Sequence, residues 1–293
     1  MAEQYLRKVV LDIVPQSGGA VTRIENLRIK FTVKKTPKSN PNTAEISIFN
    51  LSEKTRTLVE SKNCHVVLNA GYLGLNPDGI LKTNLFSSKS VENVFRGNIK
   101  KFSHDKSTKI TDFSQHTIEG PDIITKLECG DGDEVFTTKT FDKGYPADTK
   151  LTVLFKDLSD ALSLPKGSQI TIPENNIANG ITFSGLVRDH LDNLCARYGL
   201  EWSIQNEALQ IVTAGSFSND GIVVLNNKTG LIGSPAKTKD GVEFKCLLQP
   251  ALRPGKRVNL DSKFVKGTFT CRNVTHDGDS HQDTFLTKIE AKI

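Results

Sequence analysis

The chain has 293 residues and a formal net charge of +5, with 37% hydrophobic and 24% charged residues. This composition is typical of a globular protein, and no stretch has the eighteen or more apolar residues of a membrane-spanning helix, so we expect no stable membrane insertion. The basic charge is mild and its lysines are spread out, which does not predict nucleic-acid binding. The length predicts two or three domains.

Alternating apolar residues predict strands in the first part of the chain. Tyr5–Val14 is interrupted by charged residues at strand spacing, which indicates a first strand rather than a signal peptide. Three more strands follow the alternating segment Leu27–Val33, and we predict them at His65–Tyr72, Val94–Phe102 and Lys109–Gly120. The stretch 74–90 has no helical or strand period, so we expect an extended arm or loop that faces solvent or a partner.

The segment from Asn40 to Glu60 predicts a strand that turns directly into a helix. Apolar residues recur at every second position from Ala44 to Ile48, as in a strand with one buried face. Ser52 is placed to cap a helix of two or three turns that ends near Ser61. The apolar residues predicted to pack together and onto the sheet are Leu51, Leu58 and Val59.

In the middle of the chain the residue pattern changes from strand-like alternation to a mixture of helix and strand signals. Asp122–Leu127 is predicted as a helical turn and Val135–Phe141 as a strand. Asp148 or Thr149 is predicted to cap a helix that stops at Pro165-Lys166-Gly167. Its apolar face consists of Leu151, Leu154, Leu158, Ala161 and Leu162.

A second, more strongly patterned helix is predicted to begin after a Ser184 cap and to end at Gly199, a residue suited to the left-handed conformation. A short strand at Gln169–Ile172 precedes it, and a hairpin of Leu200–Ile204 and Leu209–Val212 follows it. These elements predict a compact α+β unit. The apolar stripe of the helix consists of Val187, Leu191, Leu194, Cys195 and Tyr198.

After Ala214 the pattern returns to strands, and Asp277-Gly278-Asp279 is predicted to turn the last hairpin. The predicted strands are Ile222–Leu225, Val242–Leu248, Lys256–Leu260, Thr268–Thr275 and Thr284–Ile293. We therefore predict a mainly β protein with two β-barrel-like domains and an α+β domain inserted into the second. The predicted boundaries are 1–128 for the first barrel, 148–213 for the insertion, and 129–147 together with 214–293 for the second barrel.

We predict no catalytic, cofactor-binding or metal-binding residue. Asp189, His190 and Cys195 share the best helix, but His190 lies off the stripe that carries Cys195, so a common site is not expected. The sequence has no phosphate-binding loop, dinucleotide fingerprint, metalloprotease motif or nucleophile elbow.

The five cysteines are scattered without a C-x-x-C pair, which predicts reduced, buried thiols. For the same reason Cys271, His276 and His281 are interpreted as parts of a surface hairpin rather than a zinc site. Asp131-Gly132-Asp133-Glu134 and Asp277-Gly278-Asp279 lack the bidentate glutamate of a calcium loop and are interpreted as turns.

Two parts of the sequence resemble the baseplate hub proteins of contractile-tailed bacteriophages. Asn40–Arg56, with its N-x-A-x-I-x-I-x-N-L-S corner, and Val94–Ile99 resemble the N-terminal barrel of that family. Thr229–Pro235 and then Gly241–Val258, which contains a Pro-x-Leu-x-Pro-Gly turn, are similar to its C-terminal barrel. The helix and hairpin of Ser184–Val212 fit its middle domain.

The resemblance implies a structural role without enzymatic activity. Such hubs are homotrimers in which two tail-tube-like barrels per subunit form a ring of six similar barrels that adapts a sixfold tail tube to a threefold central spike. The implied partners are tail tube or tube-initiator proteins, the central spike protein and baseplate wedge proteins, with DNA only in transit. The implied location is the virion tail baseplate, after assembly in the host cytoplasm.

Other functions stay open from the residues alone. A tail-associated adhesin or carbohydrate-binding protein would also use β-domains with a protruding arm, whereas a cell-wall hydrolase would need a convergent polar site. If DNA passes through the hub, a lysine-rich lumen would hold its phosphates. We therefore expect the lysines at strand ends and turns to meet acidic partner subunits rather than DNA, namely Lys34, Lys35, Lys38, Lys100, Lys101 and Lys106.

Overall fold

A computed structural model describes residues 6–16, 18–37, 39–60, 64–73, 91–106, 110–111, 117–118, 122–164, 166–170, 172–215 and 221–292. Within them the protein is mainly β, as the sequence predicts. Three separate hydrophobic clusters define an N-terminal, a middle and a C-terminal unit. No helix in this part of the chain is long and apolar enough to span a membrane.

The N-terminal unit is built on a sheet with the order β3-β4-β9-β6-β5-β1-β2. Residues 25–28 join β2 to β3, so a short connection brings the two ends of the sheet together, as in a barrel. The elements are β1 (Arg7–Pro15), β2 (Thr22–Ile24), β3 (Ile29–Lys35), β4 (Thr43–Phe49), α1 (Glu53–Glu60), β5 (Cys64–Tyr72), β6 (Val91–Lys106), β7 (Ile110–Thr111), β8 (Thr117–Ile118) and β9 (Ile123–Gly130).

The middle unit packs helices against two small sheets around its own core. Its elements are α2 (Asp133–Thr138), β10 (Lys143–Tyr145), α3 (Leu151–Leu162), β11 (Lys166–Ile170), β12 (Ile181–Phe183), α4 (Val187–Tyr198), β13 (Leu200–Gln205) and β14 (Ala208–Thr213). The predicted hairpin and the left-handed Gly199, with φ of 64°, are confirmed.

The C-terminal unit has the sheet order β16-β17-β20-β19-β18-β15. Its short connection, residues 226–230, again joins the strands at the two ends of the order. The strands are β15 (Ile222–Leu225), β16 (Leu231–Lys237), β17 (Gly241–Leu247), β18 (Arg257–Asp261), β19 (Lys266–Asp279) and β20 (Phe285–Lys292).

The N-terminal and C-terminal units repeat one arrangement. Without β2, β7 and β8, the N-terminal unit has six strands, as the C-terminal unit has. Numbered along the chain, both sets then have the sheet order second, third, sixth, fifth, fourth, first, which is β3-β4-β9-β6-β5-β1 in one unit and β16-β17-β20-β19-β18-β15 in the other. One difference is that β1 runs antiparallel to β5, whereas β15 runs parallel to β18. The shared strand order indicates that the two units have a duplicated fold.

The two units are joined edge to edge within one 13-stranded sheet. The first part of β19 pairs with β18, and its second part, Val274–Asp279, pairs with β3 over Lys30–Lys35. We call this pairing the internal joint. It makes the two units neighbours in a single sheet, an arrangement that the sequence did not predict.

The corner between β4 and α1 forms as predicted. The Ser52 hydroxyl accepts a hydrogen bond from the Thr55 backbone N–H at 3.3 Å, which satisfies one donor of the first helical turn. Val59 is 1% exposed and Leu51 is 3% exposed, and both belong to the core of the N-terminal unit with Leu58 packed against it. The helix thus closes one end of that core.

Several local predictions are wrong. Asp122–Leu127 is not a helical turn but the start of strand β9, because strands β4 and β6 pair with it on both sides. Val135–Phe141 is not a strand, since α2 covers its first half. Phe136 and Tyr145 pack into the core of the middle unit. We therefore propose that the insertion begins near Gly132 rather than at 148.

The predicted helix caps in the middle unit are also wrong. Helix α3 begins after Lys150 and α4 after Leu186, and neither helix has a side-chain cap. The Thr149 hydroxyl instead donates to the carbonyl of Pro146 at 2.7 Å. Buried apolar faces hold both helices in place without caps.

The ends of the predicted strands differ as well. Asp277-Gly278-Asp279 is not a turn but the end of β19, because these residues pair with β3. The predicted strand Lys109–Gly120 is described only as the short strands β7 and β8. The predicted arm at 74–90 lies outside the described residues.

Candidate functional site

The long strands β6 and β19 carry a His-Asp pair at equivalent positions. Each strand has a register shift against its neighbour, at Ile99/Lys101 in β6 and at Cys271/Asn273 in β19. Aligning these shifts places Phe102-Ser103-His104-Asp105 on Val274-Thr275-His276-Asp277. The paired strands β9 and β20 then align as Ile-Ile-Thr-Lys-Leu-Glu and Phe-Leu-Thr-Lys-Ile-Glu.

The repeated residues make the same contacts in both units. His104 Nδ1 lies 3.0 Å from Thr125 Oγ1, and His276 Nδ1 lies 3.0 Å from Thr287 Oγ1. The ion pair Lys126–Asp105 measures 2.8 Å, and its counterpart Lys288–Asp277 also measures 2.8 Å. The duplication therefore extends from strand order to side-chain chemistry.

The internal joint is held by polar contacts at its end. Arg28 donates two hydrogen bonds to the carboxylate of Asp279, with Nη2 at 2.8 Å from Oδ2. The Thr32 hydroxyl donates to Asp277 Oδ1 at 2.8 Å. A bidentate arginine–carboxylate pair fixes geometry as well as adding energy. These contacts lock the register of β3 on β19.

The centre of the internal joint is apolar and closely packed. Gly278 lies directly against the ring of Phe31, and a Cβ at this position would collide with that ring. Phe31 also meets Phe285 edge to face, with ring centroids 6.4 Å apart. His276 is 0% exposed here. Burial, together with nearby Lys35, lowers the pKa of His276 to about 3, so the imidazole is neutral at physiological pH.

A buried polar cluster attaches the middle unit to this sheet. Asp131, which is 0% exposed, accepts the backbone N–H groups of Asn206 and Glu207, each at 2.7 Å. Both residues have positive φ, at 53° and 63°, in the turn between β13 and β14. Burial raises the pKa of Asp131 to about 6 against the lowering effect of these hydrogen bonds. We call this cluster the turn anchor.

Lys35 and Asn42 complete the turn anchor. Lys35 Nζ donates to Asn206 Oδ1 at 2.8 Å, and burial lowers the pKa of Lys35 to about 8. Asn42 Nδ2 lies within hydrogen-bonding distance of Asp131 Oδ2, at 3.1 Å, and of the Ile204 carbonyl, at 2.9 Å. Asp131 is thus a structural acceptor, which corrects its interpretation as a simple turn residue.

One face of the fused sheet is polar across both units. We call it the polar face. Opposed carboxylates recur on it at equivalent positions, with Glu45 opposite Glu128 and Glu243 opposite Glu290. Like charges directly opposite each other cost stability, so their presence in both units suggests a functional constraint. The charged residues of the polar face are Lys30, Lys34, Glu45, Lys101, Asp105, Lys126, Glu128, Glu243, Lys245, Asp277, Lys288 and Glu290.

The five described lysines among those singled out in the sequence lie in four different environments. Lys35 is buried in the turn anchor, which corrects the prediction that it meets a partner subunit. Lys34 and Lys101 lie on the polar face, where Lys101 Nζ is 3.5 Å from Glu128. Lys100 pairs with Asp133 of α2, and Lys106 is exposed at the end of β6. Lys38 lies outside the described residues.

The candidate catalytic and metal-binding residues are dispersed. Burial raises the pKa of the Cys195 thiol to about 12, and His190 packs on Phe183 with ring centroids 4.9 Å apart. Cys271 and His276 are buried in β19, which corrects their interpretation as parts of a surface hairpin, whereas His281 follows in the turn. The described residues contain no group of three or more His, Cys, Asp or Glu side chains able to hold a metal ion. All five cysteines are free and buried, as predicted.

Solved structures of tail proteins share this fold. A tail protein of prophage MuSo2 from Shewanella oneidensis matches with a TM-score of 0.61 and 8% identity over 97% of this chain and 96% of that chain. A tail protein from Neisseria meningitidis matches with a TM-score of 0.58 and 11% identity over 99% of this chain and 97% of that chain.

A third similar structure is the c3393 protein of E. coli, a component of the type VI secretion system with structural similarity to T4 bacteriophage tail proteins gp27 and gp5. It matches with a TM-score of 0.56 and 10% identity over 96% of this chain and 76% of that chain. No curated protein matches the sequence. The family model described as baseplate hub gp41 matches residues 7–291. The chain therefore belongs to the baseplate hub gp41 family and is a structural component of a phage tail.

Proposed function

We propose that this protein forms, as a homotrimer, the hub ring of a contractile tail baseplate. The fused duplication carries the proposal, because one subunit supplies two similar units side by side in one sheet. Three subunits would present six similar units to a sixfold tail tube and three identical subunits to a threefold spike. The proposed partners are tail tube or tube-initiator proteins, the central spike protein and wedge proteins, in a virion baseplate assembled in the host cytoplasm.

We propose further that the polar face lines a passage for DNA. Its lysines are interspersed with carboxylates, and Lys126 and Lys288 are engaged by Asp105 and Asp277. A lining of this kind releases few counterions from a phosphate backbone, so DNA would pass without being held. Lys34 and Lys101 would then face the passage within a charge-balanced surface, which replaces their expected placement against acidic subunits.

The ring proposal implies a mechanical role without catalytic turnover. Its support is the structural nature of the family and of the similar tail proteins. Sedimentation velocity and native mass spectrometry of the purified full chain test it. We expect a species of three times the mass of one chain, alone or with a tube or spike partner. A strict monomer in the presence of both partners would refute the ring.

A further inference from the structure

Strand β6 has an edge that no described strand covers, where the equivalent edge of β19 is covered. Strand β5 pairs with β6 only up to Asn98, and β9 pairs with the other edge as far as Lys106. In the described part of the chain, no strand pairs with the β5-side edge of Lys101–Asp105. At the equivalent edge of β19, strand β3 forms the internal joint.

The equivalent side chains are correspondingly more exposed on β6. The side chain of Asp105 is 49% exposed, whereas that of Asp277 is 15% exposed. The side chain of His104 is 22% exposed, although its Nε2 lies 3.1 Å from Glu60 of α1, whereas His276 is fully buried. Phe102 is also more exposed than Val274. Each difference in exposure is consistent with β3 covering this edge of β19, whereas no described strand covers the equivalent edge of β6.

Strand β16 has the second edge that no described strand covers. It occupies in the C-terminal unit the position that β3 occupies in the N-terminal unit. Strand β3 lies between β4 and β19, but β16 pairs only with β17 among the described strands. The apolar residue Ile232 on this strand is 40% exposed. Exposed edges of this kind are normally covered by a partner or blunted.

We propose that β16 of one subunit pairs with the second half of β6 in a second copy, repeating the internal joint between subunits. This inference rests on the proposed ring and names the surface that closes it. Such a contact is heterologous, since different edges meet, and repeated heterologous contacts generate a ring when the rotation closes. Main-chain hydrogen bonding along both edges would supply the pairing.

The internal joint gives the register of the proposed contact. Ala236 and Lys237 lie opposite Glu243 and Val242, as Thr32 and Val33 lie opposite Glu45 and Ala44. Because Lys34 lies opposite Thr275 in the internal joint, Thr238 is expected opposite Ser103. The next pair would be Lys237 with His104.

An irregularity in β16 limits the contact to its C-terminal end. The register of β16 on β17 shifts between Ile232 and Ala236, where Gly233 has φ of 68° and Pro235 lacks a backbone N–H. The interrupted segment cannot continue a regular ladder, so pairing would begin at Ala236. Bulges and prolines also discourage indiscriminate pairing of an edge before assembly.

Cysteine cross-linking tests the register. The variant S103C with T238C should form a disulfide between copies under mild oxidation, because opposed residues of antiparallel strands bring their Cβ atoms within reach. Most of the chain should shift to covalent dimers and trimers on a non-reducing gel. The pair K34C with T275C is the positive control, since it should close within one chain. The pair S47C with T238C is the negative control, because β4 already has neighbours on both edges.

The outcomes distinguish a failure of the proposed contact between subunits from a failure of the proposed ring. A trimer by native mass in which S103C/T238C forms cross-links between chains, and S47C/T238C does not, supports the proposed contact between subunits. A trimer without that cross-link, or with equal cross-linking in the S47C control, overturns the proposed contact and leaves the proposed ring intact. A monomer without cross-links between chains at any concentration, with tube and spike partners present, overturns both the contact and the ring.

Discussion

At the residue scale, His276 occupies the point where the two units meet. It is fully buried and packs against the side chain of Thr287, and its equivalent His104 makes the same contact in the other unit. A buried neutral imidazole is compatible with this apolar joint, whereas an imidazolium is not. The stability of the internal joint should therefore decrease as the pH falls.

We expect the free energy of unfolding to fall on acidification through this residue. The folded pKa of His276 is about 3, below the usual value of 6.5, so between these pH values the unfolded chain binds a proton that the folded chain does not. Stability should be intact above pH 6.5 and fall toward pH 3, by up to about 1.4 kcal/mol per pH unit. Urea unfolding at pH 7 and pH 5 of the wild type and His276→Gln measures the difference.

Asp131 acts in the opposite direction, since its raised pKa favours the folded state as the pH falls from about 6 to 3.8. The test therefore compares the change in unfolding free energy between pH 7 and pH 5 in the wild type with the same change in His276→Gln. An equal loss of stability between pH 7 and pH 5 in wild type and His276→Gln would contradict the assignment to His276.

The core face of α1 gives a second prediction at this scale. Val59→Asp should prevent soluble folding, because it buries an unpaired charge at a cost of several kcal/mol. Leu58→Asp should be severely destabilising as well, although Leu58 is only partly buried. Thr57→Asp, at an exposed position of the same helix, is the matched control. Wild-type melting temperature in Leu58→Asp and Val59→Asp would rule out this placement.

At the element scale, the turn between β13 and β14 depends on the N-terminal sheet for its conformation. Both of its central residues have positive φ, and the Asp131 carboxylate accepts hydrogen bonds from both of their backbone N–H groups. A non-glycine turn of this conformation is strained on its own. The turn anchor therefore positions the middle unit.

Asp131→Asn should destabilise the protein by about 2–3 kcal/mol, because an amide offers one acceptor fewer and leaves Lys35 without a nearby carboxylate. The added change Lys35→Met should recover part of this loss, since it removes the uncompensated buried charge. Thermal unfolding of the single and double variants measures the coupling. Additive losses in the double variant would show that the two groups do not interact.

The sequence predicts most elements of the N-terminal and C-terminal units because their buried faces alternate with period two. It fails where neighbours decide the structure. Ile123, Ile124 and Leu127 have a spacing that also fits a helical turn, and only pairing with β4 and β6 makes them a strand. The two helix caps in the middle unit were predicted from local chemistry that tertiary packing made unnecessary.

The internal repeat was present in the sequence but hidden. The segments Ile-Ile-Thr-Lys-Leu-Glu and Phe-Leu-Thr-Lys-Ile-Glu share their polar residues, yet they are separated by the whole middle unit and by connections of unequal length. Aligning them required the strand register, which only the folded chain supplies. The internal joint was likewise unpredictable, because edge pairing leaves no local sequence signature.

At the scale of the whole molecule, the polar face gives a prediction about DNA. Replacing Glu45 and Glu243 by lysine would remove the opposed carboxylates from both units. The variant should acquire DNA binding that weakens steeply with salt, whereas the wild type should bind little at physiological ionic strength. The matched control is Glu53→Lys with Glu174→Lys, which changes the net charge equally at exposed positions off the polar face. Equal binding by variant and control would exclude a special role for the face.

The central claim is that one subunit contributes two similar units to a threefold ring. Electron microscopy of the purified ring, or of the baseplate that contains it, tests this claim most directly. We predict three copies on the tail axis that form six lobes of two alternating kinds around an open channel, with the polar face toward the axis. Copies at the periphery of the tail, or a ring with one lobe per subunit, would contradict it.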